Sequence, residues 1–167
     1  MGFTNTANGG IFYLSYDHMM QDAVAYIYAP NEYYDHNYHY DATPSLTMTS
    51  QQANVPLKAA NIYQAQKGSS SKPEYLRSVA IAIGSVNTDY EIQIYTNITD
   101  ETNPESGTAM LENPLKGSKN HPGYYTIDLP NPILLEKGTK FSVVVTLRNR
   151  NTSHLKYIFL LYLLILK

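Results

Sequence analysis

Cysteine and tryptophan are both absent from the 167 residues of this sequence. Without cysteine the chain forms no disulfide, holds no thiolate-bound metal and has no thiol nucleophile. Charged residues amount to 16% with a net charge of −2, so the basic clustering typical of nucleic-acid-binding proteins is missing. The one long apolar run, residues 157–166, has ten residues, whereas a membrane-spanning helix needs about 20.

The first ten residues contain neither a basic region nor an apolar core. Both are features of a secretory signal peptide, so we expect no signal peptide within this chain. A length of 167 residues is typical of one domain, or of one domain with a fragment of another.

Tyrosine is unusually frequent, with sixteen tyrosines against four phenylalanines. Tyrosine favours strands, and it also suits surfaces where one edge of the ring is in contact with water. Tyrosines on the faces of sheets explain most of them, while a sugar-stacking or partner-binding role for a few stays open.

Apolar and polar residues alternate over short stretches, as they do in half-buried strands. The clearest stretch is 141–147, which places Phe141, Val143 and Val145 on one face. Turn-forming residues separate the stretches, and no segment combines the start, apolar stripe and stop of a helix. This pattern predicts an all-β, antiparallel sandwich or barrel. The other predicted strands are residues 11–16, 23–29, 38–41, 46–48, 57–66, 76–83, 90–96 and 124–129. For residues 57–66 a helix is the alternative, because alanine and glutamine also suit a helix, and we choose the strand.

A long polar loop follows the strand predicted at 90–96. It contains Asn97, Asp100, Asn103 and several further turn formers up to Gly107. Loops held by a rigid sheet are where binding residues are most often found. The same polar side chains also close turns by bonding to nearby backbone. Both roles stay open, and we place the structural one first.

No catalytic or metal constellation can be singled out. His36 and His39 would point to opposite faces of a strand, so they do not chelate one ion together. The acids Asp100, Glu101 and Glu105 lack the spacing of a twelve-residue calcium loop. No nucleophile elbow and no phosphate-binding glycine loop is found. We therefore predict no metal and no cofactor.

Several stretches together resemble a known family. They are similar to the lectin-like β-sandwich domain that follows the catalytic domain in certain secreted bacterial papain-like cysteine peptidases. No single stretch is specific, but their combination and order are. The matching stretches are AVAYIY at 23–28, YHYD at 38–41, AANIY at 59–63, residues 76–83, IYTNITD and NPESGT within 94–108, GYYTIDL at 123–129 and LEKGTKFSVVV at 135–145.

The resemblance implies an antiparallel β-sandwich of jelly-roll type over residues 19–150. Residues 1–18 resemble the last strand of the papain-like peptidase domain, with Gly2 in the place of a glycine that follows the catalytic asparagine. On this alignment the catalytic cysteine, histidine and asparagine all precede the chain. The absence of cysteine independently excludes the thiol mechanism here.

The end of the chain departs from the family. The family implies another alternating strand after Leu147, but residues 156–167 are almost uniformly apolar. We interpret residues 151–167 as an atypical apolar tail that is truncated or frame-shifted. Two outcomes are open. The tail leaves an exposed apolar edge, prone to aggregation or to pairing with a partner, or it pairs as a strand buried on both sides.

The resemblance implies a non-catalytic accessory module of an extracellular or cell-surface bacterial peptidase, with a carbohydrate or cell-wall ligand and the parent peptidase domain as partners. There are two alternatives. One is a fragment of a cysteine peptidase that lacks the catalytic residues, and the other is a structural spacer without any ligand. Sugar recognition needs aromatic rings beside amides or carboxylates. Two groups of residues supply this combination: Tyr95, Asn97, Asp100 and Asn103, and Tyr33, Tyr34 and Asp35.

Overall fold

The computed structural model describes residues 36–38, 48–52, 55–66, 73–150, 154–158 and 162–166. All of them belong to one compact unit within Asn31–Lys167. These residues contain strands and turns and no helix, so none of them forms a helix long and apolar enough to cross a membrane. The strands are β1 His36–Tyr38, β2 Met48–Gln52, β3 Leu57–Gln64, β4 Glu74–Ile83, β5 Thr88–Thr96, β6 Thr108–Ala109, β7 Leu115–Lys119, β8 Gly123–Leu135, β9 Lys140–Asn149, β10 His154–Ile158 and β11 Tyr162–Leu166.

The strands form two main sheets. Sheet 1 has the order β1-β11-β4-β8, and sheet 2 has the order β3-β9-β5, with β6 and β7 following one another along the free side of β5. β2 and β10 pair separately. All pairs are antiparallel, and they nest: β1 with β11, β2 with β10, β3 with β9, β4 with β8, and β5 with β6 and β7. Nested pairs are those of one long hairpin rolled into two sheets, which is the jelly-roll arrangement and confirms the predicted fold class.

One apolar core lies between the two sheets. The alternating residues predicted on β4, β5 and β9 point into it, which confirms the predicted period of two. Tyr38, Tyr63 and Phe141 form an aromatic cluster at one end of the core, with ring centroids 5.4 to 5.9 Å apart. The fully buried members include Leu76, Val79, Ile92, Ile94, Leu135, Phe141, Val143 and Leu147.

β8 continues through Pro130 and Pro132, although the strand predicted from the sequence ends at residue 129. Leu76 pairs with Ile133 but Ser78 pairs with Asp128, so the residues around Pro130 bulge out of the ladder. Proline lacks the N–H that a ladder needs, and an edge strand such as β8 tolerates it at a bulge. The Ser78 hydroxyl and Asp128 carboxylate are hydrogen-bonded at 2.6 Å beside the shift.

β7 is a strand that the sequence did not predict. Residues 115–119, LKGSK, show almost no apolar alternation because β7 lies on one side of β5 and is only half buried. Gly117 pairs with Tyr90, and a Cβ at Gly117 would lie 2.2 Å from the Tyr90 hydroxyl oxygen. The tyrosine ring therefore lies over the glycine, an arrangement that no pattern of hydrophobicity reveals.

Of the described part of the apolar tail, β11 is paired on both sides, whereas β10 is paired on one side. β11 lies between β1 and β4, and β10 pairs with β2. The expectation of an exposed apolar edge is therefore wrong for residues 162–166, and the alternative of a paired strand is the one found. The predicted strands at 11–16 and 23–29, and the peptidase-like stub at 1–18, lie outside the described residues.

Candidate functional site

The loop 97–107 joins β5 to β6 and is shaped by its own polar side chains. Asp100 Oδ1 accepts hydrogen bonds from the backbone N and the hydroxyl of Thr102, at 2.8 and 2.7 Å. Asn103 Oδ1 accepts one from the backbone N of Glu105 at 3.0 Å. The Ser106 hydroxyl accepts from the backbone N of Asp100 and donates to its carbonyl, at 3.0 and 3.1 Å. The bonds of Asp100 and Asn103 are Asx turns, and together with those of Ser106 they close the loop on itself.

Two backbone features place the loop at the end of β5. Asn97 has a φ of 55°, a left-handed conformation that asparagine tolerates better than most residues. Ile98 is buried, with its Cδ1 close to Gly107 at the other end of the loop. At the other end, a Cβ on Gly107 would lie 2.2 Å from the carbonyl oxygen of Thr96. Only glycine allows the returning chain to approach β5 this closely.

The loop lies over the outer face of sheet 2, the face turned away from the core. The Ser142 hydroxyl of β9 donates to the carbonyl of Pro104, and the backbone N of Ile98 donates to the carbonyl of Lys140 at 3.2 Å. This covering explains why Ser142 is fully buried although its neighbours Phe141 and Val143 are the ones that face the core.

Charged side chains tie the loop to the strands beneath it. The Glu105 carboxylate lies 2.6 Å from the Lys58 ammonium of β3 and accepts a hydrogen bond from the Tyr95 hydroxyl of β5 at 3.3 Å. Burial, followed by the negative charge of Glu105, raises the pKa of Tyr95. Glu101 forms an ion pair with Lys140 at the start of β9. The loop thus spans from β5 across β9 to β3.

A groove of about 550 Å³ lies between this loop and β3. Ala60, Ile62 and Gln64 are on the same face of sheet 2 as Lys140 and Ser142, as their cross-strand pairing shows. The volume is within the range of small-molecule sites, roughly 300–1,000 Å³. The groove is lined by Ala60, Asn61, Ile62, Tyr63, Gln64, Glu101, Thr102, Pro104 and Lys140.

The structure brings four of the predicted site residues to one end of the domain. Asn97, Asp100 and Asn103 are exposed on the loop, and Tyr95 is half-buried at its base. None of the four is among the described residues that line the groove, which is bounded instead by their loop neighbours. Tyr33, Tyr34 and Asp35 lie outside the described residues. Within the described part of the chain, no group of three or more His, Asp or Glu side chains could hold a metal ion.

Sequence reasoning missed the groove residues on β3 and β9. Gln64 and Lys140 are 76 positions apart in the chain and become neighbours only because β3 and β9 pair in this register. No local motif marks either residue. Glu101 is one of the loop acids that the sequence singles out, whereas nothing in the sequence points to its partner Lys140.

We expect the stability of the loop to depend on the charge of Asp100. The hydroxyl and then the backbone N–H of Thr102 hold the pKa of Asp100 below its ordinary value of 3.8. A lowered pKa means that the stabilisation is complete above pH 3.8 and is lost as the pH falls through the folded-state value. A carbon-detected NMR titration of the Asp100 carboxyl should give a midpoint below that of an unfolded peptide.

The matched variant for this titration is Asp100→Asn. Its side-chain oxygen still accepts from Thr102, so the turn is retained while the titration is removed. Wild type should lose stability relative to this variant as the pH falls below 3.8. Parallel pH profiles for the two proteins would contradict the assignment.

Comparison with known proteins shows the family to which this chain belongs. The family model described as "Lectin like domain" matches residues 37–158, which is most of the chain. The chain belongs to the lectin-like domain family. No curated protein shows significant sequence similarity to it.

One solved structure shows the same fold. A clostridial cysteine protease, Cwp84, after propeptide cleavage, matches the lectin-like domain with a TM-score of 0.50 at 24% identity, over 72% of this chain and 28% of that chain. The chain therefore spans well under a third of the length of that protease. A structure of infectious bursal disease virus, Gx strain, matches with a TM-score of 0.42 at 11% identity, over 86% of this chain and 37% of that one.

Proposed function

We propose that this lectin-like domain is a non-catalytic accessory module of a secreted or surface-associated bacterial papain-like cysteine peptidase, and that it binds a carbohydrate of the cell surface or cell wall. Membership of the lectin-like family supports a binding module. The fold shared with part of a clostridial cysteine protease supports the parent architecture and the extracellular location. The absence of cysteine supports a role other than proteolysis for the chain itself.

The groove beside the loop 97–107 is the observation that carries the binding proposal. Its lining combines apolar side chains, from Ala60, Ile62 and Pro104, with polar and charged ones, from Gln64, Thr102, Glu101 and Lys140. Ligand sites in proteins combine apolar surface with placed polar groups. A domain that served only as a spacer would need no such groove beside a structured loop.

The predicted loop residues keep groups available for a sugar. Asp100 and Asn103 each use one oxygen for the turns of the loop. The second carboxylate oxygen of Asp100 and the amide nitrogen of Asn103 have no hydrogen-bond partner among the described residues, and both residues are exposed. With the exposed Asn97 and the ring of Tyr95, they provide a second contact region next to the groove.

A glycan array probed with the purified chain tests the proposal. We expect specific binding that Tyr95→Ala reduces by roughly tenfold or more, since loss of an aromatic platform costs about 1–3 kcal/mol in comparable stacking contacts. The matched control is Tyr124→Ala, because Tyr124 is an exposed tyrosine on β8 of the other sheet. An array without any specific signal would overturn carbohydrate binding and favour the spacer.

A further inference from the structure

One cation and one anion line the groove, and they are bound to each other. Among the described lining residues, Lys140 is the only one with a positive charge and Glu101 the only one with a negative charge. Glu101 comes from the loop and Lys140 from the first position of β9. The Lys140 ammonium at the groove is therefore already paired with the carboxylate of Glu101.

Separating this ion pair costs little free energy. The Glu101 side chain is 67% exposed and that of Lys140 is 40% exposed. Exposed ion pairs contribute little to stability in most measured cases, because water and salt solvate the separated charges. The conformation of the loop does not depend on the pair, since the loop is closed by Asp100, Asn103 and Ser106. Glu101 can therefore leave Lys140 without unfolding the site.

The ion pair with Glu101 shows that the Lys140 ammonium can bind a carboxylate at this position. We propose that the groove binds a saccharide carrying a carboxylate, and that this carboxylate replaces Glu101 on the Lys140 ammonium. This inference rests on the proposed carbohydrate-binding function and specifies its ligand class as acidic and not neutral. Glu101 then competes with the ligand for the Lys140 ammonium, and it weakens the binding of every ligand that contacts this group.

The rest of the groove fits the rest of such a ligand. Ile62, Ala60 and Pro104 provide apolar surface for the carbon face of a sugar ring. The Gln64 amide nitrogen donates to the carbonyl of Gly138 at 3.2 Å, and its amide oxygen has no partner among the described residues, so it can accept from a sugar hydroxyl. The Thr102 hydroxyl donates to Asp100 and keeps lone pairs that can accept.

Two disaccharides that differ by one carboxylate test the inference. The acidic probe is N-acetylglucosaminyl-N-acetylmuramic acid, whose lactyl group carries the carboxylate, and the neutral probe is di-N-acetylchitobiose. Calorimetric titration of the purified full chain should show the acidic probe binding more tightly. Its affinity should fall as salt is raised, because the contact with Lys140 is ionic.

Variants of the pair should shift the affinity for the acidic probe in opposite directions. Glu101→Gln should raise it up to about fivefold, the equivalent of a surface ion pair. Lys140→Gln should lower it about 10- to 100-fold, the equivalent of a charge-assisted hydrogen bond. Lys116→Gln and Glu91→Gln are matched controls, since this pair lies 3.0 Å apart on β7 and β5, outside the groove, and should leave both affinities unchanged.

The outcomes separate this inference from the function on which it rests. If neutral and acidic probes bind equally, or if Glu101→Gln does not raise the affinity for the acidic probe, the acidic ligand class is wrong while carbohydrate binding stands. If neither probe binds and a glycan array is blank, both are overturned. The gain expected for Glu101→Gln cannot arise from misfolding, so the test holds even if Lys140→Gln perturbs β9.

Discussion

Replacing Phe141 with alanine is expected to destabilise the domain by about 3–5 kcal/mol, the usual cost of removing a buried phenylalanine ring. Phe141 has 0% exposure and its ring lies 5.4 Å from that of Tyr38 and 5.6 Å from that of Tyr63. These three rings come from three strands in both sheets, so the cavity left by Phe141→Ala cannot close by a shift of one side chain. Equilibrium denaturation in urea measures the change.

Val144→Ala is the matched control on the same strand. Val144 is also buried, with 3% exposure, but it lies on the face of β9 opposite to Phe141 and outside the main core. Deleting two carbons from it should cost about 1.5 kcal/mol on a transfer basis. Similar losses for the two variants would contradict the assignment of one face of β9 to the core between the sheets.

The second large effect is expected for Tyr38→Phe. The Tyr38 hydroxyl donates to Glu74 Oε2 at 2.8 Å and accepts from the backbone N of Gln66 at 2.7 Å. Glu74 has 6% exposure, and its other oxygen, Oε1, has no partner among the described residues. Removing the hydroxyl leaves a buried carboxyl group without a donor and a backbone N–H without its acceptor. Leaving the buried carboxyl group without a donor costs about 1–3 kcal/mol. Gln66 is exposed, so its N–H can bond to water instead, and we expect about 1–3 kcal/mol in total.

A double-mutant cycle checks that the loss comes from the buried pair. In Tyr38→Phe combined with Glu74→Leu, the unpaired carboxyl group is gone and an apolar side chain takes its place. Replacing both partners by apolar groups is often nearly neutral, so the double variant should be more stable than Tyr38→Phe alone. An additive loss in the urea unfolding curves would show that Tyr38 and Glu74 do not act together.

Glu74 illustrates a limit of sequence reasoning. It lies two positions before the strand predicted at 76–83, and glutamate is usually exposed, so the sequence did not predict its burial. It is buried because a bulge follows Leu76 and shifts the phase of β4, so that Glu74 and Leu76 share the core side with Val79 and Ile81. A bulge changes which face a residue occupies without leaving a clear mark in the sequence.

Much of the fold was predictable from the sequence. Alternating residues correctly predicted β4, β5 and β9 because successive side chains of a strand point to opposite faces, and a core on one side selects apolar residues at every second position. β7 was missed because it is half buried and pairs a glycine with a tyrosine. The polar loop 97–107 was predicted, and its Asx turns follow from the short polar side chains of Asp100 and Asn103.

The all-β class, the faces of the main strands and the polar loop after β5 are encoded in residues close together in the chain, so they could be predicted from the sequence. The nested strand order, the pairing of β11 inside sheet 1 and the groove beside the loop become visible only in the folded domain. The groove depends on Glu101 and Lys140, 39 positions apart, which meet through strand register. Register follows from the packing of the whole core, and no short stretch of sequence contains that information.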